Sequence, residues 1–590
     1  MKKHFLNLLV IAAIFTGCSG PETKAIKAEV LINHLGYTPT DIKKVVIQIR
    51  SGKRPKSFDL IDQNDKKVFT GYFDGGGQVA NWHTGKAYAG YFTEFQEPGT
   101  YYIEVDVQDT VVASGTFKIQ QNLLKKATLP LLLEGLQSVH PAEKYEKWDA
   151  NIPFHSDRQD SADVHGGWYD ASGDYSKYLS HLCYTNFMPP QQTPMVVYNL
   201  HASAQYLSKD YQKLAKAYTA EAAYGADFLV RMQDPAGYFY TTVFDNWSKD
   251  PTARAICAYE TQDGNRTPEY QAAFREGAGI AIAALARLAA DSVSGEHKTS
   301  TYLQKAEKGF AHLLENNEKY CDDGKENIID DYCALMAATE LFNATGDNAY
   351  LKHARMRMLS LANRIRKDEN YSGWFSANED GSRPYFHAAE AGYPLVALHR
   401  YLDFEKVDSL RDQAVTTIQQ HVDFTLSITQ EVTNPFGYPR QYVKATDEPN
   451  KRAAFFIPHE NESGYWYQGE NARLASLAAA FNLCSTYMTD KQKKASKDFS
   501  QNQINWILGL NPYDMSMLDG VGRNNPEYLE PRDWNYPGGI ANGLTAGVED
   551  ESDIAFLPQP QNEDPAQKWR WPEQWIPHAG WFMLAVSTSE

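Results

Sequence analysis

From Gln121 onward the chain is a succession of stretches whose apolar residues recur every 3.6 positions, with no strand-like segment between them. They span 193–207, 210–232, 270–290, 299–315, 331–343, 349–366, 386–402, 409–426, 469–488, 491–508 and 576–586. About a dozen helices without alternating strands exclude a parallel α/β domain. Many are rich in Ala, whose small side chain lets helices pack as closely as the inner ring of a barrel requires. An (α/α) toroid is the economical arrangement, with chemistry carried by loops at one rim.

The region from Glu29 to about Ile119 reads differently. Val30-Leu31-Ile32, Val45-Val46-Ile47-Gln48-Ile49, Tyr101-Tyr102-Ile103-Glu104-Val105 and Thr116-Phe117-Lys118-Ile119 are short strand-like runs punctuated by Gly and Pro. Several short strands in some ninety residues predict a β-sandwich. A chain of 590 residues is too long for one ordinary domain, and this division accounts for its length.

A net charge of −17 excludes nucleic acid as a partner, because phosphates need Lys and Arg to neutralise them. It suits a neutral substrate or a cationic one such as an amino sugar. The high content of Trp and Tyr fits core packing or stacking of rings on sugar faces. Cys183, Cys257, Cys321, Cys333 and Cys484 are scattered, without a CxxC pair, and read mostly as buried thiols rather than a zinc site. Lys2, Lys3 and the short apolar run 8–15 form a leader too short to span a bilayer. The run ends in Phe15-Thr16-Gly17-Cys18, which resembles a bacterial lipobox. That resemblance implies a signal peptide at 1–18, lipidation of Cys18, and a protein anchored to a bacterial membrane in the periplasm or at the cell surface.

The densest cluster of chemistry-bearing residues is His165-Gly166-Gly167-Trp168-Tyr169-Asp170-Ala171-Ser172-Gly173-Asp174-Tyr175-Ser176-Lys177-Tyr178. Asp170 and Asp174 stand four apart where helical periodicity is absent. Gly173 is read as letting the backbone turn, and Trp168 and Tyr169 as walls of a site. Close carboxylates perturb each other or hold a water between them. Glycoside cleavage needs a carboxylate base for that water and an acid across the sugar. The same residues also suit an Asx-rich turn or a calcium loop.

This stretch resembles the Gly-Gly-Trp-x-Asp-Ala-Gly-Asp-x-x-Lys-Tyr motif of glycoside hydrolase family 9, the inverting cellulases. Val30-Leu31-Ile32-Asn33-His34-Leu35-Gly36-Tyr37 is similar to the opening of the immunoglobulin-like module that precedes many of its catalytic domains, and Gly99-Thr100-Tyr101-Tyr102 to a later strand of that module. Ile504-Asn505-Trp506-Ile507-Leu508-Gly509-Leu510-Asn511-Pro512 resembles the family's Gln-Ile-Asp-Tyr-Ile-Leu-Gly-x-Asn-Pro segment, with Ser516 in the stretch that follows. The resemblance implies an immunoglobulin-like β-sandwich at 27–120 and an all-α (α/α)6 toroid catalytic domain at 125–590. It implies Asp174 as catalytic base with Asp170 as its assistant. Ser172 widens the Asp–Asp spacing by one residue, as in a branch that includes exo-acting glucosaminidases.

The general acid is expected to be a Glu before the last helix, where the family places it. Glu462 and Glu470 precede the 504–512 segment, whereas the family's acid follows it; chain order selects Glu573. The neighbouring Trp571 and Trp575 would desolvate this carboxyl and keep it protonated; a carboxylate favoured by a helix N-terminus is the plainer reading. Glu470 and Trp571 are kept as substrate contacts, with Trp168, Tyr169 and His387, the last three residues before Glu390 on one expected helix face. Arg532 joins them as the one survivor of the family's His-His-Arg segment. Asp157, Asp160, Asp163 and His165, and Asp322, Asp323, Asp330 and Asp331, lack EF-hand spacing and read as solvated loops. No cofactor is required, and a structural calcium stays open. The expected function is inverting hydrolysis of β-1,4-linked glucans or gluco-oligosaccharides. An exo-β-glucosaminidase acting on chitosan oligosaccharides and a non-catalytic glycan-binding protein are the alternatives.

Overall fold

The computed structural model describes residues 26–261, 263–464, 470–530 and 533–589. The leader with Cys18, the segment 465–469 and Arg532 lie outside the described residues. Nine strands come first: β1 Lys27–Leu31, β2 Gly36–Tyr37, β3 Lys44–Ser51, β4 Ser57–Asp62, β5 Lys67–Gln78, β6 Lys86–Tyr91, β7 Gly99–Val107, β8 Thr110–Ala113 and β9 Phe117–Ile119. They run in the order β1-β3-β6-β5-β4-β7-β9-β2, with β8 on β7. The long β5 serves both faces of the sandwich, pairing with β6 on one and β4 on the other.

The apolar run of β3 is buried on both sides. Val45, Ile47 and Ile49 fill the sandwich core, whereas Val46, with Leu31 of β1, joins the core of the helical region. A strand covered on both faces reads as continuous apolar sequence rather than alternation. Polar groups on the docking face are paired across the junction. Lys44 Nζ donates to Asn502 Oδ1 at 2.7 Å and Gln48 Nε2 to the Pro512 carbonyl at 2.9 Å.

The helices are α1 Leu123–Ser138, α2 Glu143–Asp149, α3 Thr193–Leu207, α4 Gln212–Arg231, α5 Ala278–Ala290, α6 Thr299–Tyr320, α7 Ile328–Thr345, α8 Asn348–Asn363, α9 Tyr393–Leu402, α10 Asp408–Gln430, α11 Asn471–Cys484, α12 Asp490–Ile507, the short α13 Gln559–Asn562 and α14 Ile576–Thr588. Contacts run α3 to α5, α5 to α7, α7 to α9, α9 to α11, α11 to α14 and α14 back to α3. Around this closed ring α4, α6, α8, α10, α12 and α1 pack in pairs with its members. Nearly all of α5, α7, α11 and α14 is buried, while α6 and α8 bury a single face. Small side chains all round suit a helix with neighbours on every side.

Three expectations are corrected. The segment 386–402 is helical only from Tyr393; Pro394 fits a first turn, where its missing N–H is no loss, and Gly392 precedes it. Helix α1, with Pro130 inside it, escapes the periodicity reading. Strands do occur among the helices: Lys177–Tyr178, Thr242–Phe244, Ala255–Glu260 and Asn265–Thr267 form a four-stranded sheet at the rim. The five cysteines beyond the leader are free and buried.

Trp82, 1% exposed in the loop after β5, lies among Phe436, Phe455, Phe456 and Trp506 with ring centroids 5.1–6.2 Å away. Trp82→Ala is expected to cost about 3–5 kcal/mol, read from the denaturation midpoint of the full chain. An unchanged midpoint would refute a shared core.

Candidate active site

The aspartate-bearing stretch is held from below by a buried cation. Lys177 Nζ lies 2.6 Å from Asp149 Oδ2 and donates to the carbonyls of Val164 and Gly166 at 2.7 and 2.9 Å. Arg254 closes on the same carboxylate, Nε to Oδ1 at 2.7 Å, and on the Tyr175 carbonyl at 2.7 Å. A fully buried ammonium survives only with such partners, so the turn between Val164 and Lys177 has one geometry.

Asp170 is 2% exposed. The Trp575 indole donates to both its oxygens, at 3.1 and 3.0 Å, Gln192 Nε2 donates to Oδ1, and His181 Nδ1 lies 3.5 Å from Oδ2. Burial pushes its carboxyl up to about 6, against the pull of His181 and with the push of the Asp174 charge. Asp174 accepts from the Ser176 amide at 2.8 Å, the Tyr178 hydroxyl at 2.6 Å and the Trp247 indole at 3.2 Å.

Glu573 reaches the aspartates through backbone pairing across some four hundred residues of chain. Ala171 and Trp575 form an antiparallel bridge. The Ser172 amide donates to the Gln574 carbonyl at 2.9 Å, and Ser172 Oγ accepts from the Gln574 amide at 2.9 Å. The Ile576 amide bonds the Asp170 carbonyl at 3.1 Å. On its other side the Glu573 carbonyl accepts from the Asn542 amide at 2.7 Å. Ser172, the extra residue of the motif, is thus the seam between the two halves of the site.

Gly173 is not among the left-handed glycines, so the expectation that it serves the turn through backbone freedom is corrected. Its function is space: a Cβ there would stand 2.5 Å from Glu573 Oε1. Glu573 itself is 9% exposed. Burial, then the charges of Asp174 and Asp170, hold its carboxyl well above the usual range, with Lys249 pulling weakly the other way.

The three carboxyls line one pocket of about 470 Å³, walled by His181, Trp247, Lys249, Tyr528, Trp569 and Trp575. A larger cleft of about 610 Å³ lies elsewhere, between Asp41 and α12, with Phe481 as its one aromatic wall; size alone does not mark the site. Of the described residues expected to touch substrate, Trp168, Tyr169, His387, Glu470 and Trp571 do not line the 470 Å³ pocket. Trp168 is fully buried, its indole on Glu221 at 2.8 Å. Tyr169 stacks on Tyr175, with centroids 4.4 Å apart, and its hydroxyl accepts from the Ala142 amide. His387 precedes α9 rather than lying on it, and its Nδ1 accepts from the Ala389 and Glu390 amides at 3.0 and 3.2 Å; burial lowers its pKa to about 3. Glu470 binds Arg473 at 2.7 Å and the Tyr438 hydroxyl. Trp571 is buried behind the acid. Glu462, the other candidate acid, is paired with Arg383 at 3.0 Å and closer.

The acidic clusters are engaged by cations: Asp160 by Arg158, Asp330 by Arg275, Asp331 by Arg364. Among the described residues no three metal-type side chains converge. Sequence reasoning missed His181, Gln192, Trp247, Lys249, Tyr528 and Trp569. His181 and Trp569 carried a signal, the first three residues past the motif's Tyr178 and the second four residues before Glu573; Gln192, Tyr528 and the loop with Trp247 and Lys249 have no local pattern.

Gly173→Ala is expected to displace the Glu573 carboxyl and lower kcat by about 10²-fold while circular dichroism stays that of the wild type; full activity would remove the steric argument. A carboxyl whose folded pKa exceeds its unfolded value binds its proton more tightly when folded, so stability is lost as pH rises through that interval. Glu573→Gln, which cannot ionise, should therefore raise Tm relative to the wild type at pH 8 and do so less at pH 4. Equal shifts at both pH values would contradict the raised pKa.

The comparisons with known proteins bear on the family and the fold. The model of glycosyl hydrolase family 9 matches residues 134–555, and that of the cellulase N-terminal Ig-like domain matches residues 25–110. Endoglucanase 16 of Arabidopsis thaliana is 22% identical over 492 residues, 78% of this chain and 90% of that protein. Among solved structures, a family 9 glycoside hydrolase of Bacteroides ovatus superposes with a TM-score of 0.63 at 17% identity, covering 95% of this chain and 98% of that one. A metagenome-derived family 9 endoglucanase does so with a TM-score of 0.64 at 16% identity, covering 95% and 99%. The match over residues 134–555 and the endoglucanase relatives make this chain a glycosidase that hydrolyses O-glycosyl bonds, and the chain belongs to glycosyl hydrolase family 9.

Proposed function

We propose that this enzyme hydrolyses β-1,4-linked glucans or gluco-oligosaccharides with inversion at the anomeric carbon, using Asp174 as base, Asp170 as its assistant and Glu573 as acid. The observation that carries the reading is the convergence on one pocket of Glu573, whose carboxyl burial and the charges of Asp174 and Asp170 hold well above the usual range, with an aspartate that accepts three hydrogen bonds. Asp174 takes a proton from water while that water's oxygen bonds to the anomeric carbon. Glu573 gives its proton to the departing oxygen as the glycosidic bond breaks. Asp170 holds the water's second hydrogen. No cofactor enters this scheme. Trp247, Tyr528, Trp569 and Trp575 give the pocket flat apolar walls of the kind that sugar faces require. The names of the relatives, endoglucanases among them, favour glucan over other sugars.

The closed ring of six helices with six partners outside it supports an (α/α)6 toroid for the catalytic domain at 125–590, behind a β-sandwich at 27–120. The leader's lipobox-like end supports a lipid-anchored enzyme of the periplasm or cell surface.

The test is product analysis by NMR on cello-oligosaccharides and on chitosan oligosaccharides. Release of the α-anomer from cello-oligosaccharides is expected, falling by about 10³-fold or more in Asp174→Asn and Glu573→Gln with binding retained. Release of glucosamine alone would replace the glucan with an amino-sugar substrate. Unaltered behaviour of both variants would leave only glycan binding.

A further inference from the structure

Near the pocket lies a further buried carboxyl, that of Asp245, which the mechanism does not use. Asp245 follows the strand Thr242–Phe244, which pairs antiparallel with Lys177–Tyr178 in the register Lys177↔Val243. That register brings Asp245 beside Ser176. Asp245 is fully buried, and both its oxygens are engaged: Ser176 Oγ donates to Oδ1 at 3.0 Å and the Lys249 amide to Oδ2 at 2.9 Å. Between those two bonds the backbone is strained. Asn246, Trp247 and Lys249 have φ of 59°, 54° and 56°. Each non-glycine residue in that region costs about 1 kcal/mol or more. Such a loop persists where surrounding bonds over-determine it, and here they do. Ser248 N and Oγ bond the Asp245 carbonyl at 3.3 and 2.7 Å, and the Tyr145 hydroxyl bonds the Lys249 carbonyl at 2.6 Å.

The strained loop ends in the pocket. Trp247 brings its indole to Asp174 Oδ2 at 3.2 Å, and Lys249 lines the wall beside Glu573. Ser176, the other partner of Asp245, gives its amide to Asp174 Oδ1 at 2.8 Å. We infer that Asp245 is a positioning residue for the base, clamping the turn that carries Asp174 to the left-handed loop that delivers Trp247 and Lys249. Two of the three donors on Asp174 therefore trace to one carboxylate, and the third, Tyr178, sits on the strand paired beside it. Burial and the nearby charge of Asp174 raise the pKa of Asp245, with Arg254, Ser176 and Lys249 opposing. A buried charge of this kind is a weak stabiliser at best, so the arrangement is accounted for by the geometry it imposes.

The inference rests on the reading of Asp174 as base. The experiment is steady-state kinetics of the full chain on cellotetraose, with thermal unfolding of every variant. Asp245→Ala, which deletes both bonds, should lower kcat by about 100-fold with KM within about threefold. Asp245→Asn can keep both, Oδ1 accepting from the Lys249 amide and Nδ2 donating to Ser176 Oγ, and should recover most of the loss. Trp247→Phe alone should lower kcat by about tenfold, and adding it to Asp245→Ala should slow the enzyme by no more than about threefold further, because one pathway is being cut twice. Should Asp245→Ala fail to fold, Ser176→Ala, which removes a single hydroxyl, should still lower kcat by about tenfold. Wild-type kcat in Asp245→Ala or in Ser176→Ala, or full multiplication of the Asp245→Ala and Trp247→Phe losses, overturns the inference. Turnover surviving in Asp174→Asn overturns instead the assignment of the base. An inactive Asp174→Asn beside wild-type rates in Asp245→Ala and Ser176→Ala sinks only the positioning residue.

Discussion

The site depends on a two-residue seam of backbone. Ser172 and Gln574 exchange amide–carbonyl and amide–hydroxyl bonds, and Ala171 bridges Trp575. The Ile576 amide on the Asp170 carbonyl and the Trp575 indole on the Asp170 carboxyl extend this seam. Backbone pairing at a seam fixes separation to a fraction of an ångström, whereas long side chains packed across a cleft would not. Because Gly173 presents no Cβ, Glu573 Oε1 lies against the turn itself, and the width of the gap follows from the absence of one carbon.

Given that proximity, the division of labour among the carboxyls follows from what surrounds each. Asp174 receives an amide, a hydroxyl and an indole, all donors, and so sits in an environment made for a negative charge. Glu573 is as buried but faces two like charges, so its neutral form is favoured. Asp170 lies between, raised by burial yet served by Trp575, Gln192 and His181. Burial and neighbouring charges thus hold Glu573 and Asp170 above the ordinary carboxylate range. Trp575 acts on both sides, donating to Asp170 and walling the pocket beside Glu573.

What could be read from the chain was what is local or ordered. The convergence of Asp170, Asp174 and Glu573 on one pocket was expected, the aspartates from a contiguous motif and Glu573 from the chain order of the family that the sequence resembles. Helix α3 was legible to the residue, since its period is clean and Pro194 marks its first turn. The walls were not legible. Trp168 stands beside Asp170 in sequence, yet its ring points into the core toward Glu221, while Trp247, Tyr528 and Trp569 reach the pocket from loops that tertiary packing alone brings together. His387 and Glu390 looked like a helical pair because 386–402 keeps an apolar period through a segment that Gly392 and Pro394 exclude from the helix.

The segment Ile504-to-Pro512 and the opening Asn33-to-Tyr37 are separated by nearly the whole chain, yet they are two sides of one contact. The His34 amide bonds the Leu508 carbonyl at 2.9 Å, and its ring lies where a Cβ on Gly509 would be, 2.3 Å from Cδ2. His34 Nδ1 accepts from the Arg523 amide at 3.2 Å, which leaves Nε2–H to donate to Asp514 at 3.0 Å, and burial lowers the pKa of the ring. From there the bonds continue inward. The Met517 amide takes the Ile507 carbonyl, the Ala541 amide takes the Met517 carbonyl, and the Asn542 amide takes the carbonyl of Glu573. The sandwich is therefore mechanically continuous with the acid. A side chain at Gly509 would push out a histidine of one domain and, through four hydrogen-bonded segments, disturb a carboxyl in the other. A docked module with a core strand buried on both faces thus has its histidine tied by hydrogen bonds to the scaffold that carries Glu573.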